Sequence, residues 1–139
     1  MPDAPAHRFP VRVYFEDTDA GGVVYHAAYL RFAERARTEW LRDLGLAHSQ
    51  LIAREGLIFV VKRLAIDYVR PARLDESLVV ETRLAGLGRA SVTLAQTVRR
   101  AEATVAALEV VLACVRLATG RPEAMPEGLR GLIRAQSGV

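Results

Sequence analysis

The feature that most narrows what this chain can fold into is the order of its hydrophobic periods: one strand, one long amphipathic helix, then four long strands in succession. Residues 9–15 (FPVRVYF) set Val11, Val13 and Phe15 against Arg12 and Tyr14, the period of two that marks a half-buried strand. From Ala27 to Leu44 the period changes. Tyr29, Phe32, Ala33, Ala36, Trp40 and Leu44 recur at spacings of three and four, while Arg31, Glu34, Arg35, Arg37, Glu39, Arg42 and Asp43 fill the other face. Gly45 follows as a helix-ending residue, and the helix is about 27 Å long at 1.5 Å per residue. A short helix around Ser49–Arg54 leads into strands over 57–69, 77–86, 90–98 and 104–117, and 127–135 can form a last amphipathic turn or two. Val110, Val111 and Val115 decide the Ala-rich 104–117 segment for strand over helix.

Strands of this length exceed the usual five or six residues, so the sheet is expected to wrap around the long helix, an α+β arrangement. The whole chain, 1–139, is expected to form one such domain. One helix covers only one face of a sheet, yet residues 110–115 are apolar on both faces. A second copy is the economical cover, which predicts at least a dimer.

Composition serves mainly to exclude. No stretch approaches the roughly 18 uninterrupted apolar residues of a membrane span. The N-terminal MPDAPAHRFP has no apolar core of a signal peptide, so a cytoplasmic location is expected. Cys114 is the sole cysteine and sits in the apolar VVLACVRL, where a thiol packs as a small hydrophobe. His7, His26 and His48 have no metal-ligand spacing, so no metal and no cofactor are expected. The net charge of +3 is spread along the chain as arginines, with Lys62 the single lysine, and no basic cluster points to nucleic acid.

The chemistry is concentrated in FEDTDAGGVVYHAAY, residues 15–29. Acids and glycines before a helix often do no more than cap it and turn the chain. Asp17 and Asp19, however, both lie too far upstream to cap this helix, and Gly21-Gly22 lets the backbone approach a ligand closely. The N–H groups at the helix start, near His26, can polarise a carbonyl and hold an oxyanion. A carboxylate opposite them can attack the carbonyl carbon or deprotonate a water. A thioester suits so sparse a site, because a thiol of pKa about 8.5 leaves without a strong general acid. There is no GxSxG elbow.

The pattern Asp-Thr-Asp-x-x-Gly-Val-Val-Tyr-His-x-x-Tyr, followed by Glu-Arg-Ala-Arg, resembles the 4-hydroxybenzoyl-CoA thioesterase family, in particular its YbgC-like branch of acyl-CoA thioesterases associated with the bacterial Tol–Pal system. The likeness runs through FVVKRLAIDYVRPARLDE and so covers about the first 80 residues. It implies a hotdog fold, homodimers that pair into homotetramers, and active sites at the subunit interface. It implies Asp19 as the catalytic carboxylate, a polarising amide near His26, and a role for the His26 side chain in orienting water or substrate. Gly22, Val23, Tyr25, Tyr29 and Phe15 are the candidate substrate contacts; many relatives carry tyrosine where this chain has Phe15. Asp17 is expected to hold the loop through backbone hydrogen bonds, and Glu34 to belong to a charged helix face shared with Arg31, Arg35 and Arg37. Arg54, Lys62, Arg63, Arg70 and Arg73 are the cations available to CoA phosphates.

The expected substrate is an acyl-CoA or acyl-carrier-protein thioester. Two other readings compete: a hotdog dehydratase of hydroxyacyl thioesters, with His26 paired to a carboxylate such as Glu34, and a non-catalytic acyl-thioester or partner-binding module. The intact Asp-Thr-Asp motif speaks against the last, since binding alone has no need of Asp19.

Overall fold

The computed structural model describes residues 6–135. In chain order these form β1 (His7–Arg12), α1 (Ala28–Asp43), α2 (His48–Glu55), β2 (Leu57–Tyr68), β3 (Ser77–Leu87), β4 (Ser91–Arg100), β5 (Ala103–Arg116) and α3 (Glu127–Ala135). All five strands join one antiparallel sheet in the order β1-β3-β4-β5-β2. The long helix followed by four long strands is therefore what the periodicities predict, and the architecture is the hotdog fold.

Alternation in the strands sets which side chains meet. Val80 faces Val98, Leu84 faces Leu94, and Leu94 in turn faces Val110, so these residues form rows across one face. That face receives α1, whose stripe of Tyr29, Phe32, Ala33, Ala36, Trp40 and Leu41 is buried. Ala33 and Ala36 let the helix lie close to the sheet, and Phe32 fills the space between them; fully burying such a side chain contributes about 1.5–3 kcal/mol. Leu129 and Ile133 of α3 close one end of the same core. Cys114 is fully buried there, and desolvation pushes its thiol pKa up, as suits a packing residue. No helix among the described residues is long and apolar enough to cross a membrane.

Two sequence expectations change. The first strand ends at Arg12, and Phe15–Asp17 turns as a short 3-10 segment. The Asp17 carboxylate accepts a hydrogen bond from the Tyr14 N–H at 2.8 Å, which bends the backbone just where the alternation would have continued. Phe15 is consequently 83% exposed and does not join Val11 and Val13 in the core. The second change concerns residues 110–115. Val111, Ala113 and Val115, on the face away from α1, are only 9%, 8% and 6% exposed within a single chain. Strand β5 lies between β4 and β2, whose side chains flank these small residues, and Val115 also bridges to Pro122. Their burial does not require a second copy.

Candidate active site

The segment between β1 and α1 folds into a narrow tongue. Tyr25 N–H donates to the Asp17 carbonyl at 2.8 Å, Thr18 bridges Val24, and Asp19 N–H donates to the Val23 carbonyl at 2.9 Å. Residues 17–19 thus run antiparallel to 23–25, with Asp19 near the tip. The tongue is tied down at its base, since Val24 N–H donates to the Ala72 carbonyl at 2.8 Å and Val23 bridges Arg73. The two glycines serve the turn differently. Gly22 has φ of +80°, in the left-handed region, and a Cβ on Gly21 would come within 3.2 Å of Asp19 Oδ1.

This turn fixes the two aspartates differently. Asp17 is buried, and its carboxylate and carbonyl both accept hydrogen bonds that hold the tongue together. Asp19 is exposed. Its Oδ1 accepts from the Gly21 N–H at 2.8 Å and the Val23 N–H at 3.4 Å, while Oδ2 makes no hydrogen bond among the described residues. One oxygen is anchored by the loop and the other is unengaged on an exposed residue, an arrangement open to a base or a nucleophile.

At the foot of the tongue, α1 begins at Ala28 with no side-chain cap. Two of its first amides are already engaged among the described residues, Ala28 N–H donating to the Tyr25 carbonyl at 2.8 Å and Leu30 N–H to the Ala27 carbonyl at 3.2 Å, which leaves the Tyr29 N–H between them for an incoming oxygen at the positive end of the helix. His26 is exposed just before this end, its ring 4.4 Å from that of Tyr25 and 6.5 Å from that of Tyr68. Tyr68 donates its hydroxyl to the His26 carbonyl at 2.8 Å, pinning the helix start to the end of β2. Tyr29 is buried, with its ring 5.7 Å from that of Tyr68; burial raises its phenol pKa, so it stays protonated at neutral pH. Val24, His26, Tyr29, Tyr68 and Arg70 line a shared groove of about 300 Å³.

The candidate residues of the sequence are therefore distributed, not gathered. His26 and Tyr29 share the groove; Asp19 is not among its lining residues. Phe15 lines an open concavity with Tyr14, Glu16, Leu74 and Asp75. Gly22 and Val23 shape the tongue, and Tyr25 is partly exposed beside His26. Of the cations considered for CoA phosphates, Arg70 is the one that lines the groove at the helix start, although it also donates to the Thr104 carbonyl. Among the described residues, no group of three His, Cys, Asp or Glu could hold a metal ion.

A buried polar group was not evident from the sequence. Arg37, expected on a charged helix face, is only 9% exposed. Its Nη1 donates to Gln96 Oε1 at 3.0 Å, and the Gln96 amide donates to the Ala33 carbonyl and to Thr82 Oγ1, both at 3.0 Å. The signal was present: Arg37 lies four residues after Ala33 and three before Trp40, on the apolar stripe, and Thr82 and Gln96 occupy inward positions of their strands.

Comparison with known proteins places this geometry. The family model of the thioesterase-like superfamily matches residues 13–133, and the chain belongs to that superfamily. Its relatives narrow the placement. The chain is 48% identical over 122 residues to the acyl-CoA thioesterase YbgC of Haemophilus influenzae, covering 88% of this chain and 90% of that protein. It falls among the YbgC-like acyl-CoA thioesterases. Solved structures agree. A probable thioesterase from Bartonella henselae has a TM-score of 0.82 at 38% identity, covering 87% of this chain and 99% of its own. A thioesterase from Thermus thermophilus, crystallised with coenzyme A and zinc, has a TM-score of 0.84 at 33% identity, covering 100% of this chain and 98% of its own.

Proposed function

We propose that this chain hydrolyses acyl-CoA thioesters, with Asp19 as the reacting carboxylate and the amides at the start of α1 as the oxyanion donors. The observation that carries the reading is the asymmetric Asp19 carboxylate: Oδ1 is held by the Gly21 and Val23 amides, and Oδ2 is unengaged on an exposed loop. Oδ2 either attacks the thioester carbon or removes a proton from the water that does. The carbonyl oxygen gains charge as the new C–O bond forms, and helix N-terminal amides stabilise it. The C–S bond then breaks and the thiolate leaves with the electron pair; where Oδ2 was the nucleophile, a water next cleaves the acyl–Asp19 anhydride to free the acid and regenerate the carboxylate, and in either case a proton from the attacking water restores the thiol. His26, beside the uncapped helix end, orients the water or the acyl group; Tyr25 and Tyr29 border the path. Phe15, Gly22 and Val23 meet the substrate from the tongue side, and Arg70 is placed to meet a CoA phosphate at the groove. The names of the relatives support acyl-CoA as the substrate, ahead of an acyl carrier protein.

A second copy completes the site in this reading. Strand β2 is an edge strand of 12 residues that exposes Val60, Val61 and Tyr68. An open edge of this length is a template for pairing, and a homodimer formed there brings one chain's α1 toward the other's tongue. The chain as a whole, 1–139, then acts as one domain, in a location without disulfide chemistry such as the cytoplasm.

Thiol release from a panel of short, long and aromatic acyl-CoAs, with wild type beside Asp19→Asn and light scattering on both, tests the proposal. Turnover in a dimeric or larger wild type that is lost in an equally assembled Asp19→Asn is the expected result. Equal turnover in both would remove Asp19 from the chemistry. Formation of an enoyl thioester from a 3-hydroxyacyl thioester, without thiol release, would instead make the chain a dehydratase. Binding without turnover of any substrate would make it a binding module.

A further inference from the structure

Under the second half of α1, on the inner face of the sheet, lies a concavity of about 340 Å³. Its wall is mainly apolar, built from Trp40, Leu41, Phe59, Val61 and Leu112, but Arg37 is set into it. Arg37 as a residue is nine-tenths buried, and Gln96 is the only hydrogen-bond partner of its guanidinium among the described residues. No ion pair of the described residues includes it. Desolvation lowers its pKa, and the charge of nearby Glu34 only partly opposes that effect. A guanidinium presents five donors in a planar fork, so most of them remain for whatever enters the concavity. Gln96 cannot swing away to accommodate a different arrangement, because Ala33 and Thr82 hold its amide.

Burying a cation against a neutral partner costs stability that an apolar side chain of the same size would not. A core built only to pack would place Met or Leu at this position.

We propose that Arg37 is a specificity determinant that reads an oxygen on the acyl group. The concavity takes the acyl chain, and the guanidinium favours one bearing a neutral acceptor (a hydroxyl or keto oxygen) remote from the thioester over a bare hydrocarbon of equal length. A neutral oxygen fits better than a carboxylate, because Glu34 lines the same concavity and would repel a second negative charge. The inference rests on the thioesterase reading for an acyl substrate, but not on the role given to Asp19.

The test uses matched CoA esters, hexanoyl against ω-hydroxyhexanoyl and octanoyl against ω-hydroxyoctanoyl. Two ratios are measured for each pair: kcat/KM from thiol release, and affinity for the non-hydrolysable thioether analogues. A hydrogen bond to a charged donor in a largely buried site predicts that wild type favours the oxygenated member by about tenfold. In Arg37→Met both ratios fall to about one. Arg37→Lys keeps a cation without the fork and gives an intermediate ratio; it decides the matter if thermal unfolding shows that Arg37→Met does not fold. A wild-type ratio near one overturns the proposal, as does a ratio that survives either substitution unchanged. A wild-type ratio near one together with a smaller assembly in Arg37→Met would assign the guanidinium to contacts between copies. Affinity ratios as expected in a protein with no turnover would uphold Arg37 and defeat the hydrolase reading, so the two failures are distinct.

Discussion

The two ends of α1 treat charge in opposite ways. Toward the N-terminal end, Asp19 is exposed on its tongue and the helix start has no side-chain cap, its Tyr29 amide unengaged among the described residues. In the second half of the helix, Arg37 is buried on a neutral amide beside Trp40 and Leu41. A group that must react has to be reachable by water and substrate, whereas one that must discriminate gains from a dry setting, where a hydrogen bond is stronger and a missing one more costly. Rate and stability should therefore separate under mutation along a single helix.

The largest expected effect is Asp19→Asn, which lowers kcat by about 10²–10⁴ while leaving the unfolding midpoint in place. The asparagine carbonyl can still accept from the Gly21 N–H, so the tongue survives. Thiol-release kinetics beside a thermal melt check this, and a parallel fall in stability would break the contrast between the ends. Next in size is Gln96→Leu, which strands the buried Arg37 cation and removes the bonds to Ala33 and Thr82. A loss of about 3 kcal/mol in urea unfolding is expected. A neutral result would mean that the guanidinium finds another acceptor. The smallest is Asp17→Ala, which frees the Tyr14 N–H and costs about 1 kcal/mol in the same assay. Because Asp17 shapes the tongue without facing outward, its activity should fall far less than that of Asp19→Asn; the reverse order would exchange the roles given to the two aspartates.

Most of the fold was legible because burial itself writes the period of each element. The helix predicted over Ala27–Leu44 is observed over Ala28–Asp43, and all four later strands lie within a few residues of their expected bounds. The end of β1 was not legible. Tyr14 and Phe15 continue the alternation of Val11 and Val13, and the bend comes from local bonds, the Asp17 carboxylate accepting from the Tyr14 N–H while the Asp17 and Thr18 amides donate back to the Tyr14 and Phe15 carbonyls, which have no periodic signature. The tongue was conspicuous as a motif, yet which oxygen of Asp19 is held depends on the Gly21-Gly22 turn in three dimensions. Arg37 was hidden for a different reason. Arginine on a helix ordinarily reads as solvated, and only its phase with Ala33 and Trp40, together with polar Thr82 and Gln96 on inward positions, reveals that it is not.

The sheet also has unlike edges. Strand β2 offers 12 residues for pairing, whereas β1 offers six, with Pro10 in their midst and Arg8 and Arg12 on either side of it. Proline supplies no N–H to an added strand, and charged flanks disfavour one. A sheet with one receptive edge and one blunt edge can extend only once. When a second copy meets the receptive edge in antiparallel fashion, both outward margins are the blunt kind. The homodimer proposed above would then be a closed, finite object, with the short proline-bearing strand at each margin opposing growth into a ribbon.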